Sequence, residues 1–467
     1  MATVTVRGAG GTTVTLTHLT DAASPAAQAA LADVSNFVQF GLLDQFTWPG
    51  SGAVPSPSNL LGGVIVQGAG GDVGGLQPQH VAAMVDATGP VTIVGAANAN
   101  TTVVAGAGGV TYLNLSKSGE VVLGGGNHGV FNAANGAAAS VTLDGTLVAG
   151  AMAGISGASM TVSALAGSLT LIDAHGANAM LVDLVDGATA VTAVDAPRGD
   201  LAATIVGGAG TKLSHLALGG GAFINPGAGD ATVFGNVGGG TTTVYGGSFE
   251  GATAAAFTGK LTVVAGRGVF FGGSAGGNLL TTGTVPGSAT LVGGGAGDLL
   301  ISQGAGNMLI AGAGAETLSG FSVDASVGGA SFFAGGGNAT IFGNSGGGNT
   351  FGLGPGVSQI DGRNEAALIS AGLGVGQANS FFVSTSAGGG HVVADFIAGL
   401  DQFNLTLTTL AGGQTLNPAT GLVFFAAEDA SGANPFAGTG HSGTVLTLSG
   451  GTQVFFYDAQ VTTADLV

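Results

Sequence analysis

The chain has 467 residues, 94 of them Gly, and carries 25 acidic against seven basic side chains for a formal net charge of −18. That balance excludes the basic footprint of a nucleic-acid binder and disfavours anionic lipid, and the lack of cysteine excludes a disulfide framework or thiolate chemistry. Charged residues make up only 7% of the sequence, yet 24 Phe and long Val/Thr/Ile runs set it apart from disordered chains, so it folds.

Residues 1–20, "MATVTVRGAGGTTVTLTHLT", alternate strand-like residues around a "GAGG" turn and read as a β-hairpin. They show no basic, apolar and small-residue regions of an N-terminal secretion signal. No run of about 18 apolar residues suggests a membrane span, so membrane insertion is not expected. Ser24-Pro25 has the chemistry of an N-cap and first helical residue, and Ala27, Leu31, Val34, Val38 and Leu42 follow at helical spacing. Residues 47–63 are turn and linker, and Val81, Met84 and Val85 suggest a second short helix over Pro78–Asp86. Together 1–88 form an N-terminal hairpin and helical segment that would cap a domain or serve in assembly.

From about Gly89 short apolar-Thr segments such as "VTIVGA", "VTYLNL" and "LTLIDA" alternate with Gly/Ala/Asn turns every 8–12 residues. That spacing allows a sandwich, a barrel or a solenoid. Internal similarity favours the solenoid: "GAGDATVFGN" (227–236) is followed by "GGGTTTVYGG" (238–247), and "GGGNATIFGN" (335–344) by "GGGNTFGLG" (346–354). The expected fold is all-β, an irregular parallel β-solenoid of the β-helix or β-roll kind over 89–387, with a C-terminal β region over 388–467.

Within 284–320 the period tightens to nine. Asp298, Asn307 and Glu316 recur at that spacing, and so do Leu291, Leu300, Leu309 and Leu318. This resembles the RTX nonapeptide G-G-x-G-x-D-x-U-x, whose repeats form a calcium-binding parallel β-roll. The resemblance implies that the leucines pack inside and that the acids bind Ca2+. It also implies that Asp298 and Glu316 lie on the same side of adjacent rungs. Only Asp298 keeps the family's ligand; Asn307 and Glu316 depart from it. Further on, "GGGHVVADFIAGLDQFNL" (388–405) and "GTVLTLSGGTQVFFYDAQVTTADLV" (443–467) resemble the strands and uncleaved signal that end type I secreted proteins. Asp395 and Asp401 match that family's recurring acids and join the candidate metal ligands. The resemblance implies an extracellular or cell-surface protein, exported without an N-terminal signal. The low charge and abundant Gly/Ala/Thr/Val are also similar to surface-layer and fibre proteins of Gram-negative bacteria.

Catalytic constellations are thin. A β-helix polysaccharide lyase or hydrolase needs clustered carboxylates with a basic residue, and Asp195, Arg198 and Asp200 in "AVDAPRGD" are the best such cluster, but a solvent turn with a local ion pair is the favoured reading of them. The seven histidines (18, 80, 128, 175, 215, 391, 441) show no metal-ligand spacing, and Asp173 beside His175 has no nucleophile-elbow serine. No catalytic residue is assigned, and no enzyme activity is expected.

Paired aromatics are the stronger pattern: Phe270-Phe271, Phe332-Phe333, Phe381-Phe382, Phe424-Phe425 and Phe455-Phe456. Neighbours in a strand point to opposite faces, so one Phe of each pair leaves the first core. With so few charges, the outer surface must be built from small and apolar residues that pack closely. The sequence thus points to a secreted, non-enzymatic structural protein whose main partner is itself, as a homopolymeric fibre or surface layer. A surface adhesin that binds cell-surface polysaccharide is the alternative.

Overall fold

The computed structural model describes residues 43–57, 61–97, 260–282, 289–320, 328–344, 347–361, 378–383, 390–394, 396–404, 421–426, 439–448 and 452–467, together with short strands and their flanks between residues 4 and 245. The fold is all-β: short strands follow one another in parallel ladders as a β-solenoid. Among the described residues there is no α-helix, and the one helical turn is the 3-10 turn Thr463–Asp465. The expected helix over 24–42 lies outside the described residues. The chain divides into two compact units, Met1–Thr241 with Glu250–Ala255, and Thr242–Phe249 with Ala256–Val467.

In the first unit, Val4–Arg7 and Thr13–Leu16 form the antiparallel hairpin expected from their alternation, as a two-stranded sheet of its own. Parallel pairing starts at Leu43–Trp48, which lies on Leu61–Gly68, followed by His80–Ala87 and Asn100–Ala105. A second parallel sheet alternates with it, through Gly71–Gly75, Val91–Val94 and Val110–Asn114. The rungs therefore begin well before Gly89. The helix expected over Pro78–Asp86 is instead the strand His80–Ala87. Both of its faces are buried, which removes the polar-apolar alternation that marks a strand. Trp48 is 3% exposed, and its indole Nε1–H donates to the Gly52 carbonyl at 2.8 Å. The long strand Ser159–Asp173 serves both sheets, pairing with Ala138–Thr146 through its first half and with Ala149–Gly154 through its second. The chain there passes from one sheet to the other without leaving the strand.

In the second unit the two sheets also alternate along the chain. One contains Thr242–Tyr245, Gly268–Phe271, Ala289–Val292, Met308–Ile310, Ser331–Phe333, Thr350–Leu353, Ser380–Val383 and Gln402–Asn404. The other contains Leu261–Ala265, Leu279–Thr282, Leu299–Ser302, Glu316–Gly320, Ala339–Phe342, Ser358–Asp361, Gly390–Val393 and Gln453–Tyr457. We call them the first and second sheet. The nine-residue spacing is one strand plus one turn, so two repeats complete a rung. Leu291 and Leu309 accordingly stack in register in the first sheet and Leu300 and Leu318 in the second, all fully buried. Further along, the first sheet replaces leucine by aromatics, and Phe332, Phe351 and Phe381 stack face to face with centroids 5.3 and 4.9 Å apart. Each such side chain contributes about 1.5–3 kcal/mol on burial.

The C-terminal region changes direction. Gln453–Tyr457 lies parallel to Gly390–Val393 but antiparallel to Gly443–Thr447, which in turn pairs antiparallel with Gly421–Phe425. The first sheet ends on Gln402–Asn404, where Leu466 bridges to Phe403 and the Val467 N–H donates to the Phe403 carbonyl. Phe396, Phe403 and Phe456 meet edge to face inside, at 5.0 and 5.5 Å.

Candidate functional site

Many strands of the second unit carry an inward-pointing polar residue just before or near their start. Stacked rungs gather these residues into two buried polar columns. In the first sheet the column includes Asn307, Asn349, Asn379 and Asp401; in the second, Asn278, Asp298, Glu316, Ser358 and His391. All nine are at most 4% exposed.

Most of these side chains do one job. Their oxygen accepts the backbone N–H of the equivalent residue one rung earlier, extending the ladder into the corner where the strands diverge. The Ala289 N–H donates to Asn307 Oδ1 at 2.9 Å, the Asn349 N–H to Asn379 Oδ1 at 2.9 Å, and the Asn379 N–H to Asp401 Oδ1 at 2.7 Å. In the second sheet, Leu261 donates to Asn278 Oδ1 at 3.0 Å and Asn278 to Asp298 Oδ1 at 2.8 Å. The first unit uses a histidine for the same purpose, the Val110 N–H donating to His128 Nδ1 at 3.2 Å. The remaining capacity ties down the turn. Asn307 Nδ2 donates to Ser302 Oγ and the Gly304 carbonyl, both at 2.9 Å, and the Ile397 N–H donates to Asp401 Oδ2 at 2.9 Å. Burial pushes the Asp401 carboxyl above the usual range, against these hydrogen bonds, which favour the charged form.

The structure therefore brings Asp298 and Glu316 together as neighbours on adjacent rungs of the second sheet, with Thr317 N–H donating to the Asp298 carbonyl at 2.9 Å. It keeps Asn307 and Asp401 in the other column. Asp395 lies outside the described residues. Asp298 accepts four N–H bonds: from Asn278 N and Nδ2, each at 2.8 Å, on Oδ1, and from Gly294 and Gly295 at 2.7 and 3.2 Å on Oδ2. A carboxylate with both oxygens accepting two N–H bonds has its acceptor sites filled, and a calcium ion would have to displace those donors. As arranged, this donor set does not fit Ca2+. Among the described residues, no group of three or more His, Asp or Glu side chains is arranged to hold a metal ion.

Glu316 is different. Its Oε1 accepts the Gly312 N–H at 2.8 Å, but its buried Oε2 has no partner. Gly293 lies against this oxygen, and a Cβ there would collide with it, so the carboxyl requires glycine at that corner. Burial raises its pKa to about 7; the Gly312 N–H opposes that shift and the Asp298 charge adds to it. Ser358 Oγ and both ring nitrogens of His391, in the same column, are also buried without partners, and burial lowers the His391 pKa to about 4.

Outside this wall, Thr317, Asn338, Thr340, Val357, Gln359 and Val392 border a shallow depression of about 360 Å³ in which Glu316 is the one titratable lining residue. At the surface His441 Nδ1 lies 2.6 Å from Asp458 Oδ2, while Ser442 Oγ faces Asp458 rather than the histidine, so the three are not arranged as a nucleophile, base and orienting acid. Asp195 ends the strand Thr189–Asp195, opposite Asp173; Arg198 and Asp200 lie outside the described residues.

Four of the five aromatic pairs divide as strand geometry requires; in the fifth neither ring is buried, Phe424 being 44% exposed and Phe425 half-buried. Phe270, Phe332, Phe381 and Phe456 are fully buried, and their neighbours Phe271, Phe333, Phe382 and Phe455 are half-buried on the outer face. In the first sheet Tyr245, Phe271, Val292, Ile310, Phe333 and Phe382 fall in one outward column. Tyr245 and Phe271 are 5.0 Å apart and Phe333 and Phe382 5.8 Å, the latter two closing over Gly352, where a Cβ would strike both rings.

No family model matches the chain, and neither does any curated protein or solved structure.

Proposed function

We propose that this chain is a non-enzymatic structural protein that associates with itself outside the cell, as a fibre or a surface layer. The observation that carries the reading is the outward apolar column from Tyr245 to Phe382, on a chain of which only 7% of the residues are charged. The inner columns support it, since the buried polar groups serve hydrogen bonding within the rungs. The resemblance of 388–405 and 443–467 to type I secreted proteins supports export without an N-terminal signal. Negative-stain electron microscopy of the purified protein, with millimolar calcium and then with a chelator, tests this. Ordered fibres or lattices are expected in both conditions, whereas monodisperse single particles throughout would overturn the proposal.

A second reading uses the same column. Aromatic side chains at a flat sheet face can stack on sugar rings, as in an adhesin that binds cell-surface polysaccharide. Binding of the monomer to a glycan array, lost in Phe333→Ala, would favour it.

A further inference from the structure

The outer face of the second sheet holds a row of polar groups that the rungs themselves do not use. Thr317, Thr340, Gln359 and Val392 pair in register on four successive rungs and line the depression of about 360 Å³. Their strand neighbours Leu318, Ile341, Ile360 and Val393 are buried, so these four project outward. Rungs lie about 4.8 Å apart, and the row spans about 14 Å along the sheet. No side-chain hydrogen bond ties Thr317, Thr340 or Gln359 to the rest of the described residues. Asn338 and Val357 line the same depression; the Val357 N–H donates to Asn338 Oδ1 at 3.2 Å, which fixes the amide, and Val357 is 48% exposed. The volume lies within the range of about 300–1,000 Å³ typical of small-ligand sites.

Backbone and charge select what can lie there. The strands under the depression, Glu316–Gly320, Ala339–Phe342, Ser358–Asp361 and Gly390–Val393, are each paired on both sides, so they offer no main-chain edge to a peptide strand. Recognition falls to hydroxyl and amide side chains, which both donate and accept, as sugar hydroxyls do. Glu316, the one titratable lining residue, is 4% exposed, so a cationic ligand meets no exposed carboxylate in the lining. A net charge of −18 repels an anionic ligand. What remains is a neutral, hydroxyl-rich chain, and the rung spacing is close to the length of one sugar unit in an extended glycan.

We propose that this depression binds a neutral polysaccharide, which lies along the second sheet with successive sugars at the Thr317, Thr340 and Gln359 rungs. The two hydroxyls and the Gln359 amide hydrogen-bond the sugar hydroxyls, Asn338 adds a second amide, and Val357 and Val392 meet the apolar ring faces. The site lies on a different sheet from the aromatic column of Tyr245 to Phe382, and it does not depend on self-association.

The test is isothermal titration calorimetry of the full chain with neutral hexasaccharides of glucose, mannose and N-acetylglucosamine, and with an oligogalacturonate as the anionic control. A neutral hexasaccharide is expected to bind and the oligogalacturonate is not. Thr340→Val with Gln359→Ala, both at outward positions, should weaken that binding by roughly tenfold or more through two lost hydrogen bonds. Phe333→Ala should leave it unchanged. Far-UV circular dichroism confirms the β fold of each variant, and sedimentation should show the assembly state of wild type. No binding of any neutral hexasaccharide, a preference for the anionic one, or full affinity in the folded double variant would overturn the proposal. Binding lost in Phe333→Ala alone would overturn it too, by moving the glycan to the first sheet. So would a double variant that loses assembly in place of glycan binding, because a second copy would then cover this face. A wild type that stays monomeric and binds the glycan through these residues would support the site and overturn self-association alone.

Discussion

The two polar columns of the second unit are built on one plan and differ in how far it is carried through. In the first sheet Asn307, Asn349, Asn379 and Asp401 each accept a backbone N–H from the rung before, and Asn349 Nδ2 donates again to Asn379 Oδ1 at 3.1 Å. In the second sheet the plan holds through Asn278 and Asp298 and then lapses, leaving Glu316 Oε2, Ser358 Oγ and both nitrogens of His391 unpartnered. A buried polar atom stabilises only when its partners are present; without them it carries its full desolvation cost. The first column should therefore be essential to stability and the lapsed part of the second should be dispensable or harmful.

The largest effect should come from the satisfied part of the second column. Asp298→Ala removes the acceptor of four N–H groups and is expected to cost roughly 3–5 kcal/mol in urea unfolding, given about 1–3 kcal/mol per buried unsatisfied group. A loss below about 1 kcal/mol would show that these bonds do not hold the corner.

Next come the two titrating groups. Glu316 has a raised pKa of about 7 against an ordinary 4.5, so its stabilising contribution is present below 4.5 and is lost as pH rises through 7. Glu316→Gln should become the more stable protein above neutrality, by an amount on the order of 2–3 kcal/mol at pH 8, and should match wild type near pH 4. His391 behaves in the mirror sense. Its pKa is lowered to about 4 from 6.5, so its contribution is present above 6.5 and lost as pH falls through 4. His391→Leu should unfold at higher urea than wild type at pH 4, again by an amount on the order of 2 kcal/mol. Equal pH profiles for wild type and either variant would remove that group from the account.

The smallest effects sharpen the comparison from below. Ser358→Ala should be neutral or stabilise by about 0.5–1 kcal/mol, since the hydroxyl makes no bond to lose. Because the Asp298 oxygens are already occupied, millimolar calcium should move the melting temperature by less than about 2 °C, below the shift expected for 1 kcal/mol. A larger rise would mean that the ion displaces the N–H donors.

Much of this was legible in the residues. The nonapeptide resemblance implied that Leu291, Leu300, Leu309 and Leu318 pack inside, and they do, and four of the five doubled phenylalanines give one inner and one outer ring. Asp298 and Glu316 do share one side of adjacent rungs, as the resemblance implied, and there Asp298 meets N–H donors. A signal for the actual role was present in the Asn or Asp standing directly before so many strands: Asn278-Leu279, Asp298-Leu299, Asn307-Met308, Asn349-Thr350, Asn379-Ser380 and Asp401-Gln402. Ser358 and His391 carried no such signal, because their placement depends on register across rungs of unequal length. The strand His80–Ala87 was misread for a related reason: burial on both faces left Val81, Met84 and Val85 spaced as they would be on a helix.

Six backbone N–H bonds to side chains of the two columns run toward the following rung, while elsewhere at the corners Asn307 Nδ2 reaches back to Thr282 Oγ1 and the Val357 N–H to Asn338 Oδ1. Donors at Leu261, Asn278, Ala289, Ala330, Asn349 and Asn379 each find their acceptor on the rung that follows in the chain, never the one before. Shortening the second unit from its N-terminal side would leave only a spare acceptor, which has other donors to share. Shortening it from the C-terminal side strands an amide with nothing to replace its lost oxygen. A chain growing from its N-terminus therefore leaves each of these six amides waiting for the rung that follows, the last of them, at Asn379, until Asp401 has been made.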